Sequence, residues 1–302
     1  MQREAPSSKM TDGPASSSNE LFLPDEVSDD DEVPQDDEVP QDDSVQMKDR
    51  IQHVNKPLDQ YGPGVDGMDV FSAPRVMPYL SELGLAPGPS IDLKNGFDLL
   101  LNDVQLQVMN LVSRLQPTLL VVPPPCTQYC SLQNLNAKRV PASVRQQRLS
   151  QANILMGHAM QLVREQQKAG RLAIHEHPVG ASSWRLPGVQ EVSNLPGMDC
   201  TVFDQCLAGL KDPAGYPTQK RTKLLTNSKA IKDTFCIKCN RHTCNHQPEE
   251  HTQVWGSVNG VRRSSHAQTY PPAMCKAIAE SIQEELRQER TMNLSKDQGL
   301  QP

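Results

Sequence analysis

The chain has 302 residues, 36% apolar and only 4% aromatic, with a formal charge of −6. No stretch approaches the ~18 apolar residues that a membrane helix needs. The polar start MQREAPSSKM is no secretory signal, so an intracellular protein, nuclear or cytoplasmic and not secreted, is expected. Its eight cysteines should therefore be free, metal-bound or catalytic rather than paired.

Residues 1–65 read as a disordered acidic tail. Positions 25–43 hold eleven of the 36 acidic residues and no basic one. The hexad DDEVPQ fills 30–35 and again 36–41, and such a segment buries too little apolar surface to offset its chain entropy. The tail serves either as a solvating segment or as a docking segment for a basic partner. The rest of the chain has 25 acidic against 30 basic residues, a net charge near +5 that is compatible with nucleic acid.

From Asp66 the pattern becomes that of a folded domain, expected over 66–290, with a second disordered tail at 291–302. Met68–Phe71 reads as a strand, Val76–Leu85 as a helix and Ser90–Leu93 as a strand. Val104, Val108, Leu111, Val112 and Leu115 fall on one helical face. Leu119–Val122 is a buried strand ended by three prolines, and Ala142–Gln167 is a long helix stopped by Gly170. Leu172–His175, Cys200–Phe203 and Lys223–Thr226 are further strands, and Pro272–Arg290 is a terminal helix. Short apolar strands alternating with helices predict an α/β fold, Rossmann-like, with a mostly parallel sheet and flanking helices.

Four groups stand out chemically. Cys126 follows a buried strand, where open α/β sheets bind ligands. It is either a small buried hydrophobe or a reactive thiol. Glu176 ends the next strand in IHEHPVGASSW and is either a paired carboxylate or a proton donor of raised pKa. Lys220, Arg221 and Lys223 form a basic loop, solvated or touching phosphate and base edges. The segment 236–251, CIKCNRHTCNHQPEEH, is either a zinc site or a group of reduced cysteines and solvated histidines. As a zinc site it would use Cys236, Cys239, Cys244 and His246 or His251.

Pro125-Cys126 after one strand and Glu176 after the next resemble the DNA (cytosine-5) methyltransferases. More narrowly, DVFSAPRV, SIDLKNGFDLL, PPCTQYCSLQ, HEHPVGASSW, DQCLAGL and AQTYP are similar to methyltransferase-like segments found with retrotransposon polyproteins. The resemblance covers roughly residues 66–285. It implies that Cys126 attacks C6 of a flipped-out cytosine and that Glu176 contacts the ring and its exocyclic amine. It implies S-adenosylmethionine as cofactor. Asp69, Phe71 and Ser72 would form its first strand and loop, Asp92 would bind the ribose, Asp98 would lie near the adenine amine, and Pro125 would belong to the Pro-Cys loop. Gln219, Arg221 and Lys223 would position the base and the catalytic loop, Arg221 among the catalytic set. The partner implied is nucleic acid, DNA rather than RNA. Ser72-Ala73-Pro74-Arg75 lacks the glycine-rich turn of the family's first motif, and His177-Pro178 stands in place of Asn-Val. The expected function is cytosine-C5 methyl transfer. The alternatives are a catalytically inactive nucleic-acid-binding module of the same fold, with zinc at the Cys/His segment, and an interaction protein acting through its acidic tail.

Overall fold

The computed structural model describes residues 57–131, 133, 139–240, 243 and 250–297. Strand β1 (Gly67–Val70) leads through helix α1 (Met77–Glu82) to β2 (Pro87–Ile91), which pairs with it in parallel. Helix α2 (Asn102–Leu115) returns the chain to β3 (Leu119–Val122), parallel to β1 on its other side. Helix α3 (Ala142–Lys168) leads to β4 (Leu172–Pro178), parallel to β3. After α4 (Pro187–Ser193) come β5 (Asp199–Asp204) and β6 (Arg221–Thr226), and β6 inserts between β4 and β5, antiparallel to both. Helix α5 (Lys229–Thr234), the hairpin β7 (Ser257–Val258) and β8 (Val261–Arg262), and helix α6 (Pro272–Asp297) follow.

The sheet order is β2-β1-β3-β4-β6-β5, and only β6 runs against the other strands. This is the α/β fold with a mostly parallel sheet that alternating strands and helices predict. All four residues of β3 are buried, as in a strand covered on both faces. Leu120 and Val122 share one core with Leu111, Leu115, Met160 and Val163, whereas Leu119 and Val121 share the other with Leu80, Ile278 and Ile282. The period of two along the strand divides its side chains between these layers. Burying each such side chain contributes about 2 kcal/mol. No described helix is long and apolar enough to cross a membrane.

Three expected boundaries shift. The packed chain begins before Asp66: Tyr61 and Val65 are each only 6% exposed and join the core. Arg114 holds that segment, donating from Nη1 to the Tyr61 carbonyl (2.7 Å) and from Nη2 to the Leu58 carbonyl (2.8 Å). The disordered-tail expectation therefore fails for 57–65, and its remainder, 1–56, lies outside the described residues. At the other end, α6 continues to Asp297, so 291–297 is helix rather than tail. Strand β4 does not stop at His175 but runs to Pro178, because β6 pairs with it through Pro178 and keeps the polar HEH segment in the sheet.

The first crossover moves from β1 outward to β2, and the second returns to the opposite side of β1. The strand order thus reverses between β1 and β3. Open α/β sheets bind ligands in the crevice at such a point, outside the carboxyl ends of the strands.

Candidate functional site

Proline cannot donate to a strand ladder, so Pro123, Pro124 and Pro125 lift the chain off the end of β3. Two buried histidines of β4 hold the departing loop. His175 donates from Nδ1 to the Val122 carbonyl (3.1 Å), and His177 donates from Nε2 to the Pro124 carbonyl (2.8 Å). The Ser183 hydroxyl donates to the remaining ring nitrogen of His177 (2.7 Å). The carbonyl acceptors set both tautomers. Burial pushes both imidazoles below their ordinary pKa, so they act as neutral struts. His177 thus ties the Pro-Cys loop to β4.

Cys126 then opens the single turn Thr127–Tyr129, and Cys130 closes it. This turn brings the two thiols into hydrogen-bonding contact. That bond, followed by burial, pushes the Cys126 thiol up, and the same bond pulls the Cys130 thiol down. Both sulfurs sense the charges of Glu176 and Lys220.

Glu176 lies within β4, one strand over from β3, and is only 6% exposed. The Tyr270 hydroxyl donates to its Oε2 (3.1 Å). Burial, and next the Glu176 charge, raise the Tyr270 phenol well above its ordinary value, which keeps it a donor. Lys220 Nζ lies 3.8 Å from Glu176 Oε1, close enough for charge attraction but too far for a hydrogen bond, and that buried oxygen has no hydrogen-bond donor among the described residues. Lys220 instead donates to the Ala267 carbonyl at 3.0 Å. The structure thus brings Cys126 and Glu176 into one cluster and adds Cys130, Lys220 and Tyr270 to it.

The residues expected around a cofactor line the carboxyl ends of β1 and β2. Asp69 is fully buried on β1; its Oδ2 accepts from the Arg75 amide (3.2 Å) and the Ser90 hydroxyl (3.3 Å). Its Oδ1 is buried without a hydrogen-bond partner among the described residues, and burial pushes the carboxyl pKa up to about 7. Phe71 takes a φ of +67°, making a left-handed turn without glycine. Its ring meets His158 edge-on at 6.2 Å. Ser72 turns its hydroxyl onto the Ala73 carbonyl (2.8 Å). Asp92 and Asp98 each accept a backbone amide on Oδ1, from Lys94 and Leu100, both at 3.0 Å. Pro125 is exposed beside Cys126.

Arg221 does not join this cluster. Lys220 and Arg221 are adjacent, and the Arg221 guanidinium instead grips Asp204 at two points, both 2.9 Å, on the neighbouring strand. The Asp204 side chain is fully buried and also accepts the Cys239 amide on Oδ2 (2.9 Å). Beside this pair stand Cys206, Cys239 and His251, whose ligand atoms all lie within 4.8 Å of one another. This cluster could hold a metal. It shares Cys239 and His251 with the expected zinc ligands and adds Cys206. Cys236 is exposed and turns its thiol to the Asp233 carbonyl (3.1 Å). Cys244 and His246 lie outside the described residues.

Sequence reasoning missed Tyr270, Cys130 and Cys206 as site members. Tyr270 had a signal in AQTYP, and Cys130 had one in its spacing of one turn from Cys126. Cys206 had only a cysteine just past a strand, far in sequence from its partners. No protein-family model and no curated protein matches the chain.

Proposed function

We propose that this chain carries a cytosine-C5 methyltransferase-type site acting on DNA. The observation that supports it most is the joint placement of Cys126 and Glu176. They sit at the carboxyl ends of adjacent parallel strands, in a cluster with a second thiol, a lysine and a tyrosine. Cytosine C5 is a poor nucleophile until sulfur adds at C6, and covalent addition splits one hard step into two easier ones. Cys126 is the attacking sulfur, and Cys130, with its lowered pKa, accepts the Cys126 proton as the S–C6 bond forms. Glu176 meets the exocyclic amine and ring nitrogen of the flipped base, with Tyr270 holding Oε2 and leaving Oε1 to the base.

S-adenosylmethionine would lie at the β1/β3 reversal, where it would supply the methyl group. Asp92 and Asp98 follow β2 and would bind its ribose and adenine amine, and Phe71, with Ser72 beside it, provides the sharp turn and an aromatic edge. Lys223, whose Nζ sits 4.4 Å from the centre of the Trp184 ring, adds a base to the DNA-facing surface.

A second reading, a nucleic-acid-binding module without chemistry, is favoured by the company Glu176 already keeps. Tyr270 and Lys220 both engage its carboxylate. The experiment that separates the two is incubation with duplex DNA containing 5-fluorocytosine and S-adenosylmethionine. The methyltransferase reading expects a covalent adduct, because fluorine at C5 blocks the final elimination. Absence of both adduct and calorimetrically measured cofactor binding, with DNA binding retained, would leave the binding module.

A further inference from the structure

We infer that Cys206, Cys239 and His251 form a zinc site independent of the methyltransferase-type cluster. Two separate segments supply the ligands: the single turn Gln205–Ala208 after β5 carries Cys206, and the connection from α5 to β7 carries Cys239 and His251. Cys206 is only 5% exposed. The donor set, two sulfurs and one imidazole nitrogen, is that of a zinc site and not of calcium or magnesium, which take oxygen.

The distances agree with tetrahedral zinc. Zinc–sulfur bonds near 2.3 Å and zinc–nitrogen bonds near 2.0 Å put ligand atoms about 3.5–3.8 Å apart across a tetrahedron. Cys239 Sγ and His251 Nε2 stand 3.3 Å apart, and all three ligand atoms fall within 4.8 Å of one another. Small shifts complete the geometry, and the described residues supply three of its four positions.

The surroundings brace the ligands as outer partners of metal sites do. Asp204, immediately before the segment that carries Cys206, accepts the Cys239 amide and so fixes the approach of that sulfur. Arg221 holds Asp204 in turn at two points. Two thiolates balance the charge of Zn2+, and the Asp204–Arg221 pair adds no net charge.

The proposal replaces half of the ligand set that the spacing of 236–251 suggests, because it excludes Cys236 and requires Cys206. Zinc content therefore tests it directly. The full chain, the variants C206S and C236S, and the variant H251A are purified from zinc-supplemented growth and analysed by mass spectrometry for metal. The wild type and C236S should each retain roughly one equivalent of zinc, and C206S and H251A should each lose most of it. Circular dichroism reports whether the variants fold. Should C206S fail to fold, cobalt(II) added to metal-free wild type and to C236S provides the second measurement. Both should show the visible bands of tetrahedral cobalt with thiolate ligands. A wild type that carries less than about a tenth of an equivalent and yields no cobalt bands overturns the site. Zinc retained in folded C206S, or lost from C236S, overturns the ligand assignment. None of these readings depends on methyl transfer.

Discussion

The parallel half of the sheet holds Cys126 and Cys130, and the antiparallel half holds Cys206 and Cys239. In the first pair the sulfurs meet each other across one turn, near Glu176 and Lys220. In the second the sulfurs converge with an imidazole, beside a buried carboxylate already neutralised by arginine. On the proposals above, the same residue type would serve two tasks, a nucleophile with its base and a soft metal donor. Adjacent residues serve the two regions: Lys220 reaches Glu176, whereas Arg221 grips Asp204. A cysteine's chemistry is set by what surrounds its sulfur, and one step along the chain changes those surroundings.

The largest expected effect tests the roles within the first pair. C126S should abolish adduct formation on 5-fluorocytosine DNA, because a serine hydroxyl is far less nucleophilic than a thiolate. C130S should keep the adduct but slow its formation roughly a hundredfold, as loss of a positioned base does. Single-turnover rates measure both. An adduct that survives in C126S and vanishes in C130S would reverse the two roles.

Next in size is a pH effect confined to the parallel half. The Asp69 carboxyl ionises near 3.8 in the unfolded chain but near 7 when buried. Well below pH 3.8 it is protonated in both states and costs nothing. As pH rises towards 7 the unfolded chain ionises first, so the fold loses stability over that window and regains none above it. D69N removes the titration. It should match wild type at pH 4 and exceed it by up to about 4 kcal/mol at pH 8, by denaturant unfolding at each pH. A constant difference across that range would show that Asp69 does not titrate with folding.

Truncation sharpens the comparison from the same side. A chain beginning at Asp66 lacks Tyr61, Val65 and the carbonyls that Arg114 binds. It should be about 3 kcal/mol less stable than one beginning at Pro57. Its zinc content should be unchanged, because Cys206, Cys239 and His251 lie in the other half. Equal melting temperatures for the two chains would show that residues 57–65 contribute nothing.

The smallest effect separates the two adjacent bases. R221A leaves buried Asp204 short of its cation and should cost about 2 kcal/mol in urea unfolding. K220A should change stability by less than about 1 kcal/mol. It should instead move the pH dependence of adduct formation upward, because Lys220 lowers both thiols of the first pair. The opposite pattern would mean that the two bases do not divide between the regions.

Much of the architecture was legible in the sequence because local patterns impose it. The LLVV run of β3 and the face of α2 through Val108, Leu111, Val112 and Leu115 are buried as their spacing requires. The prolines after Val122 and the cysteine beyond them announced a loop at the end of a buried strand. Cys126 and Glu176 were readable on the same ground, as polar residues following apolar runs. The ordered stretch 57–65 was not, because Tyr61 and Val65 carry no period and are held by Arg114 from a distant helix. The length of β4 was not, because only β6 pairing allows His175, Glu176 and His177 to be buried with partners.

The sequence by itself determined which segments form strands and helices, and that a thiol and a carboxylate end up at one edge of a sheet. Those outcomes follow from period, proline and chain entropy, which act over a few residues. Tertiary structure alone decided that β6 enters between β4 and β5, that Tyr270 reaches Glu176, and that Cys206 rather than Cys236 meets Cys239 and His251. Each of these joins residues far apart in the chain, and spacing in sequence carries no record of such a meeting until the sheet has folded.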